Sequence, residues 1–233
     1  MEKILAPISM LLAISLLLSC EKVGSKPGGS IVAWGIEDGL ELDFGQVTDS
    51  PAGSGFVAVA AGATHSLGLN EDGSIVTWGW NENGQCDVPS PNTGFVAVAA
   101  GMAHSLGVKE DGTIVAWGLN EAGQCSVPSP NSGFVAVAAG ATHSLGLKED
   151  GTIVGWGWNG LGQCTVPSPN NGFVAVAAGA VHSLGLKEDG TVVAWGVEDG
   201  SEFDFGQVTD SPAESGFVAV AAGAVHSLGI RKE

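Results

Sequence analysis

Five histidines, each followed by serine, recur along this chain at intervals of 39 or 44 residues. They are His65, His104, His143, His182 and His226. The tryptophans of five Trp-Gly pairs recur in the same way, and they are Trp34, Trp78, Trp117, Trp156 and Trp195. A period near 40 residues indicates supersecondary units that bury their apolar faces against one another. We therefore expect one structural unit to be repeated five times.

Each unit predicts three short β-strands. In the first full unit they cover residues 55–62, 65–69 and 74–78, and the last two form a hairpin. Gly73 closes that hairpin, because glycine readily adopts the positive φ that such a turn needs. The segment F-V-A-V-A-A is apolar on both faces, so neighbouring units must cover it on both sides. This pattern predicts an all-β protein of stacked sheets, either a β-propeller or a solenoid.

The two end segments of the repeat array complement each other. Residues 31–34 read as the last strand of a hairpin, whereas residues 226–230 read as the strand that precedes it. Joined ends leave no open sheet edge, and atypical capping units, which a solenoid needs, are absent from the sequence. We therefore expect residues 30–233 to form five blades closed into a ring by pairing of these strands.

The unit A-V-A-A-G-x-x-H-S-L-x-L-x-x-D-G-x-[IV]-x-[AT]-W-G, followed by G-Q, resembles the RCC1 (regulator of chromosome condensation) repeat. Its length of about 39 residues is most similar to the short bacterial form known from β-lactamase inhibitor proteins. The resemblance covers residues 30–230 and implies a β-propeller. The family usually has seven blades, whereas this sequence supplies five units.

The N-terminal residues predict export. Lys3 precedes an apolar stretch, residues 4–18, that is short for a bilayer-spanning helix. It ends in Leu17-Leu18-Ser19-Cys20, which resembles a bacterial lipobox. The resemblance implies removal of residues 1–19 as a signal peptide and attachment of lipid to Cys20, with residues 20–29 as a tether. An ordinary signal peptide with an incidental cysteine is the alternative.

The net charge argues against two classes of binding partner, and the cysteine spacing argues against disulfides. The formal net charge is −17, which repels nucleic acid and anionic lipid. Cys86, Cys125 and Cys164 occupy one slot in consecutive units, which are usually too far apart for disulfides. We expect them to be small buried side chains.

The histidines predict a scaffold role and not catalysis. A His-Ser pair in every unit would require five equivalent sites, and adjacent strand residues point to opposite faces. A recurring orienting carboxylate, a phosphate-binding loop and a nucleophile elbow are all missing from the sequence. We expect each imidazole to hydrogen-bond a neighbouring loop, and we expect neither an enzyme nor a required cofactor.

The units differ most in the loop that follows each Trp-Gly pair. Trp80 and Trp158 begin two of these loops and are additional to the repeated tryptophans. Exposed indoles are typical of protein interfaces, although they can also cap the stack between blades. The resemblance supports a binding face on these loops. The candidate partner-binding residues are Trp80, Asn81, Leu119, Asn120, Trp158 and Asn159.

The first and fifth loops are longer and acidic. In a closed ring they would be neighbours, and their clustered carboxylates could bind calcium through oxygen ligands. The candidate ligands are Glu37, Asp38, Glu41, Asp43, Glu198, Asp199, Glu202 and Asp204. Solvated loops that splay apart are the alternative.

These observations predict a membrane-anchored, extracytoplasmic module that binds a protein partner through one face of a propeller. The lipid anchor would be its contact with the membrane. Two alternatives stay open at this stage. One is an inhibitor of a β-lactamase or another cell-wall enzyme, and the other is a structural or adhesive envelope protein.

Overall fold

A computed structural model describes residues 28–35, 43–198, 200 and 202–232. Those residues form fourteen β-strands, and no helix among them has the length and apolar character to cross a membrane. The predicted signal peptide, Cys20 and most of the tether lie outside the described residues.

Four blades have three antiparallel strands each. The first contains β1 (Phe56–Ala61), β2 (His65–Asn70) and β3 (Ile75–Gly79). The second contains β4 (Phe95–Ala100), β5 (His104–Lys109) and β6 (Ile114–Gly118). The third contains β7 (Phe134–Ala139), β8 (His143–Lys148) and β9 (Ile153–Gly157). The fourth contains β10 (Phe173–Ala178), β11 (His182–Lys187) and β12 (Val192–Gly196). The fifth sheet has two strands, β13 (Phe217–Ala222) and β14 (Ser227–Arg231).

The predicted strands and hairpin turns are confirmed. Within each complete blade the middle strand pairs with both neighbours, so His65 lies opposite Gly79 and Leu69 opposite Ile75. Gly73 has a φ of 75°, and the matching glycines of the next three blades have similar values. A side chain at Gly73 would also approach the backbone of Gly94 within 2.9 Å. The glycine therefore serves both the turn and the close approach of the next blade.

The core lies between blades, as two-faced apolar strands require. The cluster around Leu145, Ile153 and Phe173 joins the third blade to the fourth, and equivalent clusters join the others. A bulge lies between Phe56 and Ala58 and is repeated in every first strand. It interrupts the regular alternation of side chains between the two faces of the strand. The apolar side chains of each blade are therefore buried by the neighbouring blades.

The prediction that the terminal strands pair is wrong for this structure. In the described residues β14 pairs only with β13, and residues 31–34 form no strand. Trp34, Val32, Leu228 and Ile230 are exposed. The physical reason is that residues 28–35 are held on the first blade, where the Gly29 carbonyl accepts from the Phe56 N–H and the Ile31 side chain lies beside Gly68. The predicted all-β propeller of five blades is confirmed as four complete blades and one partial blade, which form an open arc.

Candidate protein-binding face

A ladder of histidine and serine side chains connects successive blades. Nε2 of His104 lies 3.0 Å from Oγ of Ser144 in the next blade. Equivalent contacts of 2.9 to 3.0 Å join His65 to Ser105, His143 to Ser183 and His182 to Ser227. The sequence predicts a loop as the partner of each imidazole, and this prediction is wrong, because the partner is a strand serine of the next blade. The spacing of His and Ser by one repeat plus one residue was the signal that could have identified the true partner.

The protonation of these histidines follows from the serine's other contact. Ser144 donates its hydroxyl hydrogen to the carbonyl oxygen of Gln124 at 2.8 Å, and a carbonyl can only accept. The serine must therefore accept from Nε2–H of His104. Nδ1 of His104 is then an unprotonated nitrogen, buried without a hydrogen-bond partner. Burial, with smaller contributions from His143 and His65, lowers the pKa of His104 to about 3.

A glycine that recurs in every repeat unit makes room for this ladder. A Cβ placed on Gly101 would lie 2.3 Å from the His104 ring and 2.6 Å from the carbonyl oxygen of Gly140. The first clash is with the ring of the same blade and the second with backbone of the next. Glycine is therefore required in the A-A-G-x-x-H segment because two blades approach each other there.

The same ladder fixes the start of the variable loops. The carbonyl oxygen of Gln85 accepts from the Trp117 indole at 2.9 Å and from the Ser105 hydroxyl at 2.8 Å. Its side-chain oxygen accepts from the backbone N–H of Asn83 at 3.0 Å. The backbone N–H of Trp80 donates to the Thr64 carbonyl at 2.8 Å. These bonds tie the loop to two neighbouring blades.

The loop asparagines hold the loop together. Oδ1 of Asn81 accepts from the Cys86 N–H at 2.7 Å, while its Nδ2 donates to Asp87 at 2.8 Å. Asn120 and Asn159 make the same pair of contacts in their own loops. Their carbonyl and amide groups are exposed at the surface but are already engaged. We therefore assign these asparagines to shaping the binding face.

The cysteines of this loop are free thiols that lie half-buried. Sγ of Cys125 lies 3.2 Å from the Leu119 carbonyl oxygen. Burial raises the pKa of each of these three thiols to about 11. A thiol with such a pKa is a weak nucleophile at neutral pH, so the loops carry packing cysteines and not reactive ones.

The first residues of the loops differ in exposure. Trp80 is half-buried and packs on Phe44, with ring centroids 5.8 Å apart. Leu119 is also half-buried, whereas Val197 in the same slot is buried. Trp158 is 41% exposed and its indole lies over Gly160. Of the two tryptophans, Trp158 therefore offers more free apolar surface.

Both ends of the blades carry carboxylates, whereas the cations of the described residues lie at only one end. The loop rim carries carboxylates, including Glu82, Asp87, Glu121 and Glu198. The cations of the described residues lie at the other end of the blades, beside the hairpin turns: Lys109, Lys148, Lys187, Arg231 and Lys232. Three of them stack on the first-strand phenylalanine of their own blade. The loop rim therefore carries carboxylates without these cations, and Trp158 is an exposed indole on it.

The acidic residues of the long loops have local roles where they are described. Asp43 accepts from the N–H of Gly45, and Asp204 accepts from the N–H groups of Gly200 and Gly206. Glu198 and Glu202 are exposed. Glu37, Asp38, Glu41 and Asp199 lie outside the described residues. Within the described ranges no group of three or more acidic, histidine or cysteine side chains could hold a metal ion, so calcium binding stays a prediction.

Comparison with known proteins identifies the repeat. The family model described as the regulator of chromosome condensation (RCC1) repeat matches residues 56–85, 95–124, 134–163 and 173–207, more than half of the chain. The chain belongs to the RCC1 repeat family. Mouse RCC1 domain-containing protein 1 is 34% identical over 70 residues, which are 27% of this chain and 19% of that protein. Its human counterpart is 33% identical over 72 residues.

Two solved structures share the fold. Prp20p from Saccharomyces cerevisiae has a TM-score of 0.63 at 22% identity, covering 78% of this chain and 58% of Prp20p. The ectodomain of the Physcomitrella patens receptor kinase CR4 has a TM-score of 0.67 at 22% identity, covering 81% of this chain and 52% of that one. This RCC1 chain spans little more than half of these structures and about a fifth of the curated relatives.

Proposed function

We propose that this chain is a protein-binding module whose partner docks on the loop rim. The observation that carries the proposal is Trp158, an exposed indole held on a rigid loop within an acidic rim. A pre-ordered loop loses little conformational entropy on binding. Aromatic anchors surrounded by polar groups are typical of interface hot spots.

The charge of the rim specifies the chemistry of the partner. Carboxylates in the loops before and after that of Trp158, Glu121 and Glu198, favour a basic surface with an apolar pocket that receives the indole. Proteins of this fold present surfaces to other proteins, since Prp20p was examined for binding to Gsp1p and histones and was solved bound to Kap60. The partner of this chain is defined here by its chemistry.

Replacing Trp158 and Trp80 with alanine is expected to weaken partner binding by about 2 kcal/mol or more. The partner is first identified by crosslinking in intact cells that produce the protein, and its affinity is then measured with purified components. Trp158→Ala alone should account for most of the loss, because Trp80 is partly engaged with Phe44. Increasing salt should also weaken binding, since the rim is acidic.

Val174→Ala is the matched control, because it removes an exposed apolar side chain outside the loops. The control should bind as the wild type does. Unchanged affinity in the double variant would refute the loop rim as the binding surface. If the captured partner is a β-lactamase or another cell-wall enzyme, an activity assay separates inhibition from simple docking.

We further propose that the module is exported and lipid-anchored through Cys20. The support is the sequence alone, namely the apolar stretch of residues 4–18 that ends in Leu17-Leu18-Ser19-Cys20. Cys20→Ser is expected to abolish labelling by a radioactive fatty acid and to leave the precursor uncleaved. Normal cleavage and soluble release of the unmutated protein would contradict the anchor.

A further inference from the structure

The outer edge of β14 is built to receive a third strand. In the first blade the Asn70 N–H donates to Ser74 across the hairpin, while the Glu71 N–H donates to Gly55 on the other side. Backbone groups of the middle strand therefore alternate between the two neighbours. In the fifth sheet the Lys232 N–H donates to Gly216 on the first-strand side. The backbone groups of Ser227, Gly229 and Arg231 consequently face the open edge.

The side chains of β14 are likewise left uncovered beside the open edge. Leu228 and Ile230 are 63% and 64% exposed. Their equivalents in the first blade, Leu67 and Leu69, are buried. This strand has the sequence of a middle strand but is covered on one side only.

Residues 28–35 provide a strand of the matching kind. Gly29 accepts from the Phe56 N–H, as Gly73 accepts from Phe95 one blade later. A Cβ on Gly68 would lie 3.0 Å from the Ile31 side chain, as one on Gly107 would lie 3.4 Å from Ile75. The segment therefore sits beside the first blade where the third strand of a preceding blade would lie.

Residues 28–35 also lack the contacts that bury the equivalent residues of the complete blades. Trp34 is 83% exposed, whereas the other four Trp-Gly tryptophans are buried. Each of those four donates its indole N–H to the carbonyl of a glutamine 32 residues earlier. By the repeat, the acceptor that corresponds to Trp34 is the carbonyl of Gln207 in the fifth unit.

We propose that residues 31–35 of one copy of this chain add to β14 of a second copy as the third strand of its fifth blade. The register of the complete blades aligns Ile31 with Ile230, Val32 with Gly229 and Ala33 with Leu228. His226 of one copy then meets Ser66 of the other, which extends the histidine–serine ladder across the junction. The second copy is the occupant because these segments share a register yet do not meet within one chain.

The junction is head-to-tail, since two different surfaces meet. Two copies that exchange strands reciprocally form a closed dimer, whereas successive addition forms a longer chain of arcs. Either assembly buries Trp34, Leu228 and Ile230. The loop rim lies outside this junction, so partner binding and strand addition are separable.

A disulfide trap tests the junction directly. Leu228 and Ala33 would be a non-hydrogen-bonded pair, whose Cα atoms lie about 4.5 Å apart and suit a disulfide. The full chain in detergent, with its four native cysteines changed to serine, carries either Ala33→Cys or Leu228→Cys. Mixing the two variants under mild oxidation is expected to yield a covalent dimer on a denaturing gel.

Ala116→Cys is the matched control, because Ala116 occupies the same slot but is already paired with Leu106. It should not crosslink to Leu228→Cys chains. Val32→Pro, added to the Ala33→Cys chain, removes a ladder hydrogen bond and should reduce the dimer yield by about tenfold, whereas Val32→Thr should not. The Val32 variants leave the four complete blades intact.

Two results would overturn the proposal. One is a double Ala33→Cys, Leu228→Cys chain that forms only an internal disulfide at every concentration, since the ring then closes within one chain. The other is the absence of any disulfide in both the mixture and the double variant. Failure of this test leaves the effect of Trp158→Ala on partner binding unaffected, because that surface is separate.

Discussion

Lowering the pH from 8 to 5 is expected to reduce the free energy of unfolding by several kcal/mol. Burial lowers the pKa of His65 and His182 to about 4, and that of His104 and His143 to about 3. In the unfolded chain these imidazoles return to a pKa of about 6.5. Each neutral histidine sits in the ladder with one bare ring nitrogen that no described group satisfies.

Stability falls with decreasing pH because the unfolded chain binds more protons than the folded chain. Between pH 6.5 and about 4 the unfolded chain takes up protons that the folded chain does not, so stability is complete above pH 6.5 and falls as the pH drops. At pH 5 each of the four histidines costs about 2 kcal/mol. Because total stabilities are about 5–15 kcal/mol, this loss is a large share of the stability of a typical domain.

Urea unfolding at fixed high salt measures this dependence. Salt reduces the contribution of the net charge of −17, which also changes with pH. His143→Gln is the informative variant, because an amide can still donate to Ser183. It should be less stable than the wild type at pH 8 but lose stability with pH less steeply. A stability that is flat between pH 8 and pH 5 would refute the buried neutral ladder.

Replacing Leu145 with alanine is expected to cost about 2–5 kcal/mol of stability, as deletions of buried leucine do. Leu145 is fully buried in the cluster that joins the third blade to the fourth. Leu228→Ala is the matched control, because Leu228 fills the same slot of the repeat in β14 and is largely exposed. Its loss should stay below about 1 kcal/mol, as for surface positions.

The comparison is made by urea unfolding at low protein concentration, where strand addition between copies is minimal. Equal losses for Leu145→Ala and Leu228→Ala would contradict the open arc, since Leu228 would then be covered as in a closed ring. A loss at Leu228 that grows with protein concentration would instead agree with strand addition from a second copy.

The strands and the packing between blades could be predicted because the same sequence pattern recurs in every unit. The apolar faces of F-V-A-V-A-A, the turn at Gly73 and the Trp-Gly ends occur in unit after unit, and the structure confirms them. The RCC1 resemblance is likewise confirmed by the family match. The bulge after Phe56 could not be predicted, because it depends on register against the next strand.

Closure could not be predicted from matching ends. Residues 31–34 and 226–230 have complementary sequences, but whether they meet depends on the rotation accumulated over all blades. A sequence carries no direct measure of that rotation. In the structure the His–Ser contacts run from His65 to Ser227, and β14 is left with an open edge.

The candidate site was predicted in part. The sequence singled out the loops after Trp-Gly, and the structure places Trp80, Leu119 and Trp158 on one rim. It could not separate the side chains that shape a loop from those that are free to bind. Nothing in the sequence indicated that the loop asparagines differ from residues that contact a partner. In the structure each one closes its own loop through hydrogen bonds, as seen for Asn81, Asn120 and Asn159.

Site-specific photo-crosslinking in intact cells tests most directly whether the loop rim binds a protein. A photoreactive amino acid replaces Trp158 at the loop rim, and in a second protein it replaces Glu149 at the hairpin turn of the same blade. The two positions lie at opposite ends of β9. We expect a discrete covalent adduct with a basic protein from position 158 and none from position 149. An adduct from position 149 alone, or none from either position, would contradict the loop rim as the binding surface.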